Sequence, residues 1–186
     1  LADYQAFRDV GLRGLTVEGA ERPGARDRNG ARNALFADLL VTTGLRLEEA
    51  SFLLAAEIPV GDARAERQRR VELPAALTKG DRGRTILLPR RLLSAFDAYM
   101  AVERASAVSK FTARRGWDAI ERPIFIHRPP LLPTVMHLVG GGTMDMEVVT
   151  PDERARFVIC ADDGTPCEAA VLWLTEVGHP VLPNSW

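Results

Sequence analysis

The sequence predicts an α+β fold for a chain of 186 residues. Two apolar helical stretches and a later amphipathic one are separated by a pair of short β-like runs that flank a glycine-containing turn. After residue 123 the pattern changes to short β-like runs divided by Pro, Gly and Asp. A chain of this length can form one ordinary core or two small ones.

The first predicted helix covers residues 31–41 and is apolar on most faces, which is typical of a buried helix. Asp27 or Asn29 can cap its start, and Gly44 ends it because glycine readily adopts the left-handed conformation found just past a helix. A second helix is predicted over residues 47–56. The two helices are therefore expected to meet at a tight corner.

A β-hairpin is predicted next, with strands at residues 70–73 and 84–88. The turn over residues 79–83 places Lys79 near the hairpin tip. Pro89 then opens an amphipathic helix that is expected to reach about residue 108.

Further short strands are predicted at residues 124–126, 156–160 and 170–174. The expected organisation is a leading segment and linker over residues 1–26, followed by a single domain over residues 27–186. Within that domain, the stretch 128–168 is a candidate β-rich insertion with no assigned role.

The formal net charge of −1 hides a strong asymmetry along the chain. Residues 61–115 hold 13 basic and 6 acidic side chains, whereas residues 116–186 hold 4 basic and 10 acidic ones. A local excess of Lys and Arg in a nearly neutral chain is typical of a surface that faces phosphates. It also fits a solvated helix face, so charge alone leaves both interpretations open.

Composition excludes several classes of protein. No apolar run approaches the roughly 20 residues that a membrane-spanning helix needs, so no membrane partner is predicted. The amino end has no basic stretch followed by an apolar one, so we expect a cytoplasmic protein rather than a secreted one. Cys160 and Cys167 are expected to be reduced thiols, and their spacing does not indicate a zinc site.

Two positions are candidates for phosphate chemistry. Arg46 follows the predicted corner, and an arginine held there suits phosphate binding because its planar guanidinium contacts two oxygens at once. Lys79 in the hairpin turn can donate a proton to a leaving oxygen. The alternatives are that Arg46 merely pairs with Glu49 or caps a backbone carbonyl, and that Lys79 is an ordinary solvent-facing lysine.

These residues carry a resemblance to a known family. Residues 42–50 (TTGLRLEEA), after an apolar helix, resemble the first catalytic box of the tyrosine recombinases, the phage integrase family. Residues 77–89 (LTKGDRGRTILLP) are similar to the β-hairpin of that family, and residues 178–181 (GHPV) to the segment before its next helix. The resemblance covers residues 27–105 most specifically.

The resemblance implies a mainly helical catalytic core with a small antiparallel sheet, which cuts and rejoins double-stranded DNA through a 3′-phosphotyrosine intermediate. By position, Arg46 would be the first catalytic arginine, Lys79 the general acid and Glu49 the supporting acid. Thr43, Arg82 and Arg84 would contact DNA. No metal or other cofactor is implied. The whole protein is expected to act as a homotetramer on DNA and to come from a bacterium, phage or mobile element.

The sequence also departs from that family. Its three histidines are not followed by arginine at the third position, so the His-x-x-Arg box is absent. Neither Tyr4 nor Tyr99 matches the nucleophile near the carboxyl end of the family domain. We therefore expect the amino-terminal part of a catalytic domain, inactive by itself. The alternatives are a non-catalytic DNA-binding or protein-interaction module and an unrelated helical protein.

Overall fold

The computed structural model of the protein describes residues 2–20, 29–61, 67–80 and 82–186. These residues form an α+β fold, as the sequence predicts. The helices are α1 (Ala2–Ala6), α2 (Gly30–Thr43), α3 (Leu47–Ser51), α4 (Arg90–Tyr99), α5 (Ala105–Ala113) and α6 (Pro151–Arg156). The strands are β1 (Gln68–Leu73), β2 (Arg84–Pro89), β3 (Ile124–His127), β4 (Val135–His137), β5 (Thr143–Asp145), β6 (Phe157–Cys160) and β7 (Pro166–Ala169).

The predicted helix–helix corner is confirmed. Gly44 ends α2 with a φ of 67°, and its N–H donates to the carbonyl of Leu40 at 2.9 Å. Asn29 stands at the N-cap position, whereas the other candidate cap, Asp27, lies outside the described residues.

The second helix is shorter than predicted. It ends at Ser51, and only a 3₁₀ turn (Ala55–Glu57) continues the helical character of residues 47–56. The physical reason is a distant backbone partner, since Leu54 forms a β-bridge with Val171.

The predicted hairpin is confirmed. Strands β1 and β2 pair antiparallel, from Gln68 opposite Pro89 to Leu73 opposite Arg84. A 3₁₀ turn (Ala75–Leu77) lies in the loop between them. The helix after Pro89 runs on through a π-helical turn (Met100–Arg104) into α5, and so extends beyond residue 108 to Ala113.

The β-structure is more varied than one small antiparallel sheet. Three small sheets are present among the described residues, and in one of them β3 pairs parallel to β6 while β7 pairs antiparallel to β6. The predicted strand at residues 170–174 is wrong, because the regular strand β7 precedes it. Residues 171 and 174 instead form isolated bridges to Leu54 and Pro180.

The buried side chains form two clusters. The first lies among α2, α3, β1, β2 and α4, and the second lies among α5, β3, β6 and β7. Trp173 is fully buried in the first cluster, where its indole N–H donates to the carbonyl of Ala50 at 2.8 Å. Its ring contacts those of Phe36 in α2 and of Phe96 and Tyr99 in α4. With the bond to Ala50 in α3, Trp173 joins the three helices of the first cluster.

The stretch 128–168 contributes directly to these cores. Its strands β6 and β7 share a sheet with β3, which precedes the stretch. In α6, the fully buried Arg154 contacts both carboxylate oxygens of Glu57 at 2.8 and 2.9 Å. Whether the stretch is an insertion stays a prediction, but in the structure it packs against the rest of the chain. Among the described residues, no helix combines the length and the apolar character needed to cross a membrane.

Gly178 provides a test of how closely the last segment packs on α5. Its φ is 89°, and a Cβ atom there would lie 2.4 Å from Cβ of Phe111 and 2.5 Å from the carbonyl oxygen of Ala107. We expect Gly178→Ala to lower the free energy of unfolding by about 2 kcal/mol more than Gly164→Ala, measured by urea denaturation. Gly164 is the matched control because its φ is 80° with nothing within 4 Å. Equal losses would show that φ strain, and not close packing, sets the cost at Gly178.

Candidate functional site: an arginine corner

Arg46 stands at the N-cap position of α3, and Glu49 in the first turn accepts hydrogen bonds from both its backbone and its side chain. The Arg46 backbone N–H donates to Oε2 of Glu49 at 2.8 Å, and its Nη1 donates to Oε1 at 3.1 Å. The Arg46 side chain nevertheless remains 60% exposed. The ion pair that the sequence left open as an alternative is therefore formed, while more than half of the Arg46 side chain stays accessible to solvent.

Glu49 is buried, with only 2% of its side chain exposed, although it carries a carboxylate. A second guanidinium reaches it from β2, since Nη2 of Arg84 donates to its Oε2. The same Nη2 contacts the Gly44 carbonyl at 3.4 Å. Arg84 therefore ties the hairpin to the helix corner, and Glu49 holds the guanidinium groups of Arg46 and Arg84 beside each other.

The protonation of Glu49 reflects these contacts. Burial by itself raises the pKa of a carboxyl group. Here the hydrogen bonds from the Arg46 backbone and side chain, together with the charge of Arg84, outweigh burial and hold the pKa of Glu49 below its usual value. Glu49 is therefore a carboxylate at neutral pH, and it can keep both arginines in place.

A third arginine lies on the same corner. Nη2 of Arg91, in the first turn of α4, donates to Oγ1 of Thr42 at 3.1 Å. The neighbouring Thr43 hydroxyl donates to the Leu39 carbonyl at 2.7 Å, so its proton is used within α2. We call Arg46, Arg84 and Arg91, with Glu49 between the first two, the arginine corner.

Lys79 lies at the tip of the hairpin loop, where its side chain is exposed. Across the neck of this loop, the Thr78 hydroxyl contacts the carbonyl of Arg82 at 2.6 Å and that of Ala75 at 3.1 Å. Arg82 is exposed as well. None of the hydrogen bonds and ion pairs found among the described residues joins Lys79 to Arg46, so their convergence on one phosphate stays a prediction.

The arrangement favours binding of an anion. The guanidinium groups of Arg46 and Arg84 contact the carboxylate of Glu49, and that of Arg91 bonds to Thr42. The three arginines and Glu49 together carry an excess of positive charge. Arginines that a carboxylate already holds in place can bind phosphate oxygens through two parallel hydrogen bonds, and their side chains lose little conformational entropy on binding. Exposed Lys79 and Arg82, on the loop that follows β1, extend the basic surface.

Sequence reasoning identified Arg46, Glu49 and Arg84 but gave Arg84 only a DNA contact, not its bond to Glu49. It did not identify Arg91. A signal for Arg91 was present, because basic residues in the first turn of a helix oppose the helix dipole and therefore indicate another use.

The hydroxyl groups of both tyrosines are engaged in hydrogen bonds. Tyr99 is buried, and its hydroxyl donates to the Leu172 carbonyl at 3.1 Å. Tyr4 donates to Asp38 at 2.8 Å. Both cysteines are free thiols, as expected. Within the described ranges, no group of three His, Cys, Asp or Glu residues is placed to hold a metal ion.

A groove of about 910 Å³ lies beside another part of α3. Glu48 and Phe52 line one side of it, and His179 lines another. None of Arg46, Glu49, Arg84 and Arg91 is among the residues that line it.

Comparisons with known proteins identify no relative of this chain: no family model, no curated protein and no solved structure matches it. The functional argument therefore depends on the arginine corner and the hairpin themselves.

Replacing Glu49 with Gln tests whether its charged carboxylate stabilises the arginine corner. Because the pKa of Glu49 is lower in the folded state, its contribution to stability is present above the unfolded-state pKa of about 4.3 and is lost as the pH falls through the folded value. We expect Glu49→Gln to lower the free energy of unfolding by about 2 kcal/mol at pH 7. The free energy of unfolding of this variant should also fall less steeply than that of the wild-type chain as the pH decreases, measured by urea denaturation from pH 3 to pH 7.

The matched control is Glu48→Gln, which removes an exposed carboxylate at the adjacent position. This variant should change stability by less than about 0.5 kcal/mol at pH 7. If both variants behaved alike, the carboxylate of Glu49 would not hold the corner together.

Proposed function

We propose that this chain binds the phosphate backbone of double-stranded DNA at the arginine corner and supplies the arginine and lysine part of a tyrosine-recombinase-type strand-transfer site. The observation that carries the proposal is the buried carboxylate of Glu49, which holds Arg46 and Arg84 together at the solvent-exposed corner. A phosphate site benefits from two guanidinium groups that are fixed side by side.

In the proposed reaction, a tyrosine oxygen attacks the scissile phosphorus and the bond to the 5′-oxygen breaks. Arg46 donates hydrogen bonds to the non-bridging oxygens as charge develops on them. Lys79 gives a proton to the departing 5′-oxygen, which leaves as a hydroxyl group. The phosphotyrosine link preserves a phosphoester bond for rejoining.

The chain is assigned only part of this reaction. The 186 residues contain no His-x-x-Arg motif. Of the two tyrosines, Tyr99 is buried and bonded to backbone, and Tyr4 is bonded to Asp38. The proposal therefore gives this chain phosphate binding and proton donation, and no strand cleavage by these residues alone.

A second candidate function is a non-catalytic DNA-binding module. The ion pair between Arg46 and Glu49 favours it, because an arginine held by an internal carboxylate can serve as an ordinary backbone contact. The two candidates differ in whether Arg46 and Lys79 act on the same phosphate.

DNA binding is tested with a fluorescently labelled duplex, whose anisotropy is measured over a range of salt concentrations. We expect Arg46→Ala and Lys79→Ala each to weaken binding several-fold and to reduce the slope of log affinity against log salt by about 1. The control is Arg114→Ala, which removes an exposed arginine after the end of α5 and should leave affinity nearly unchanged. A wild-type chain that does not bind the duplex at low salt would overturn the proposal.

The double variant separates the two candidate functions. If Arg46 and Lys79 contact one phosphate, their effects should be coupled by more than about 0.5 kcal/mol in a double-mutant cycle. Additive effects would favour the binding module, in which each side chain contacts a separate phosphate.

A further inference from the structure

The hairpin loop is held from a part of the molecule that the recombinase-like motifs do not include. Two backbone N–H groups at the start of the 3₁₀ turn, those of Ala75 and Ala76, have no partner within that turn, as at any helix start. Glu147 accepts both. Its Oε2 lies 3.3 Å from the Ala75 nitrogen, and its carbonyl oxygen lies 3.2 Å from the Ala76 nitrogen.

Glu147 is held in place by neighbouring residues that belong to the second cluster. It lies between Met146, which is 3% exposed, and Val149, which is 1% exposed, and both belong to that cluster. The N–H of Met146 donates to the Thr134 carbonyl at 2.9 Å, and the N–H of Glu147 donates to Oδ1 of Asp145 at 2.9 Å. Glu147 is therefore exposed at its side chain but anchored on both sides along the chain.

The contact is transmitted to Lys79 over a short path. Ala75, which Glu147 contacts, accepts hydrogen bonds from the backbone N–H of Thr78 at 3.0 Å and from its hydroxyl at 3.1 Å. The same Thr78 hydroxyl contacts the Arg82 carbonyl on the other side of the loop. Since Lys79 follows Thr78 directly, the position of the loop tip depends on where Ala75 is held.

We propose that the segment 128–168 acts as a brace that positions the Lys79 loop, and that Glu147 is the positioning residue. Arg84 fixes the β2 side of the loop through Glu49, and Glu147 fixes the β1 side. The consequence for DNA depends on the function proposed above, because only then does Lys79 have a phosphate to meet. The brace itself exists in the free protein and is testable without DNA.

The first measurement is amide hydrogen exchange in the free protein, read at Ala75. Glu147→Ala removes the carboxylate acceptor and should accelerate exchange at this amide by about fivefold or more. Glu147→Gln keeps a side-chain oxygen that can accept the same N–H, and it should preserve most of the protection. Asp162→Ala is the matched control, an exposed acid in the turn between β6 and β7, and it should leave Ala75 unchanged.

The second measurement is the affinity for the labelled duplex. If Glu147 acted only through its charge, removing it beside a basic loop would strengthen DNA binding equally in Glu147→Ala and Glu147→Gln. A positioning role predicts that the two variants differ: Glu147→Ala should bind about threefold more weakly than Glu147→Gln, because the free loop must be ordered on binding.

The outcomes separate the two proposals. Unchanged exchange at Ala75 in Glu147→Ala would overturn the brace, whatever the DNA result. Equal affinities of the Ala and Gln variants would overturn the role of Glu147 in positioning Lys79. Failure of the wild-type chain to bind DNA would overturn the proposed function, and the exchange experiment would still decide whether the brace exists.

Discussion

A buried carboxylate that must remain charged is the constraint on which the candidate site depends. Glu49 is removed from water and is stable there only because Arg46 and Arg84 supply hydrogen bonds and charge. These arginines come from the helix corner and from β2. Because Glu49 needs both, the corner and the hairpin are held in a fixed relation, and two guanidinium groups are kept where a phosphate can reach them.

The hydrophobic core beneath the corner supports this arrangement. Trp173 lies under the corner, where its indole N–H bonds to Ala50 in α3. The second core contacts the first through Arg154, which donates to Glu57, and through Glu147, which meets the hairpin loop. Buried ion pairs add little net stability, but they specify which groups meet. Here the pair of Arg154 and Glu57 specifies how α6 packs against the 3₁₀ turn that follows α3.

The sequence predicted correctly those elements whose structure depends mainly on neighbouring residues. The α2 helix, its end at Gly44 and the β1–β2 hairpin were predicted because turn residues and hydrophobic periodicity act over a few neighbouring positions. Predictions failed where the backbone partner is distant. The second helix stops early because Leu54 forms a β-bridge with Val171. Residues 171 and 174 form only isolated bridges, to Leu54 and Pro180, and so residues 170–174 are not a regular strand.

The sequence by itself determined the α+β class, the corner that carries Arg46, and the hairpin that carries Lys79. Only the tertiary structure decided that Arg84, 35 residues away in sequence, bonds to Glu49, and that Arg91 meets Thr42 across 49 residues. The physical reason is that a surface arginine has the same sequence pattern whether it faces solvent or a carboxylate. Which partner it finds is set by how α2, the hairpin and α4 pack, and packing depends on the whole core.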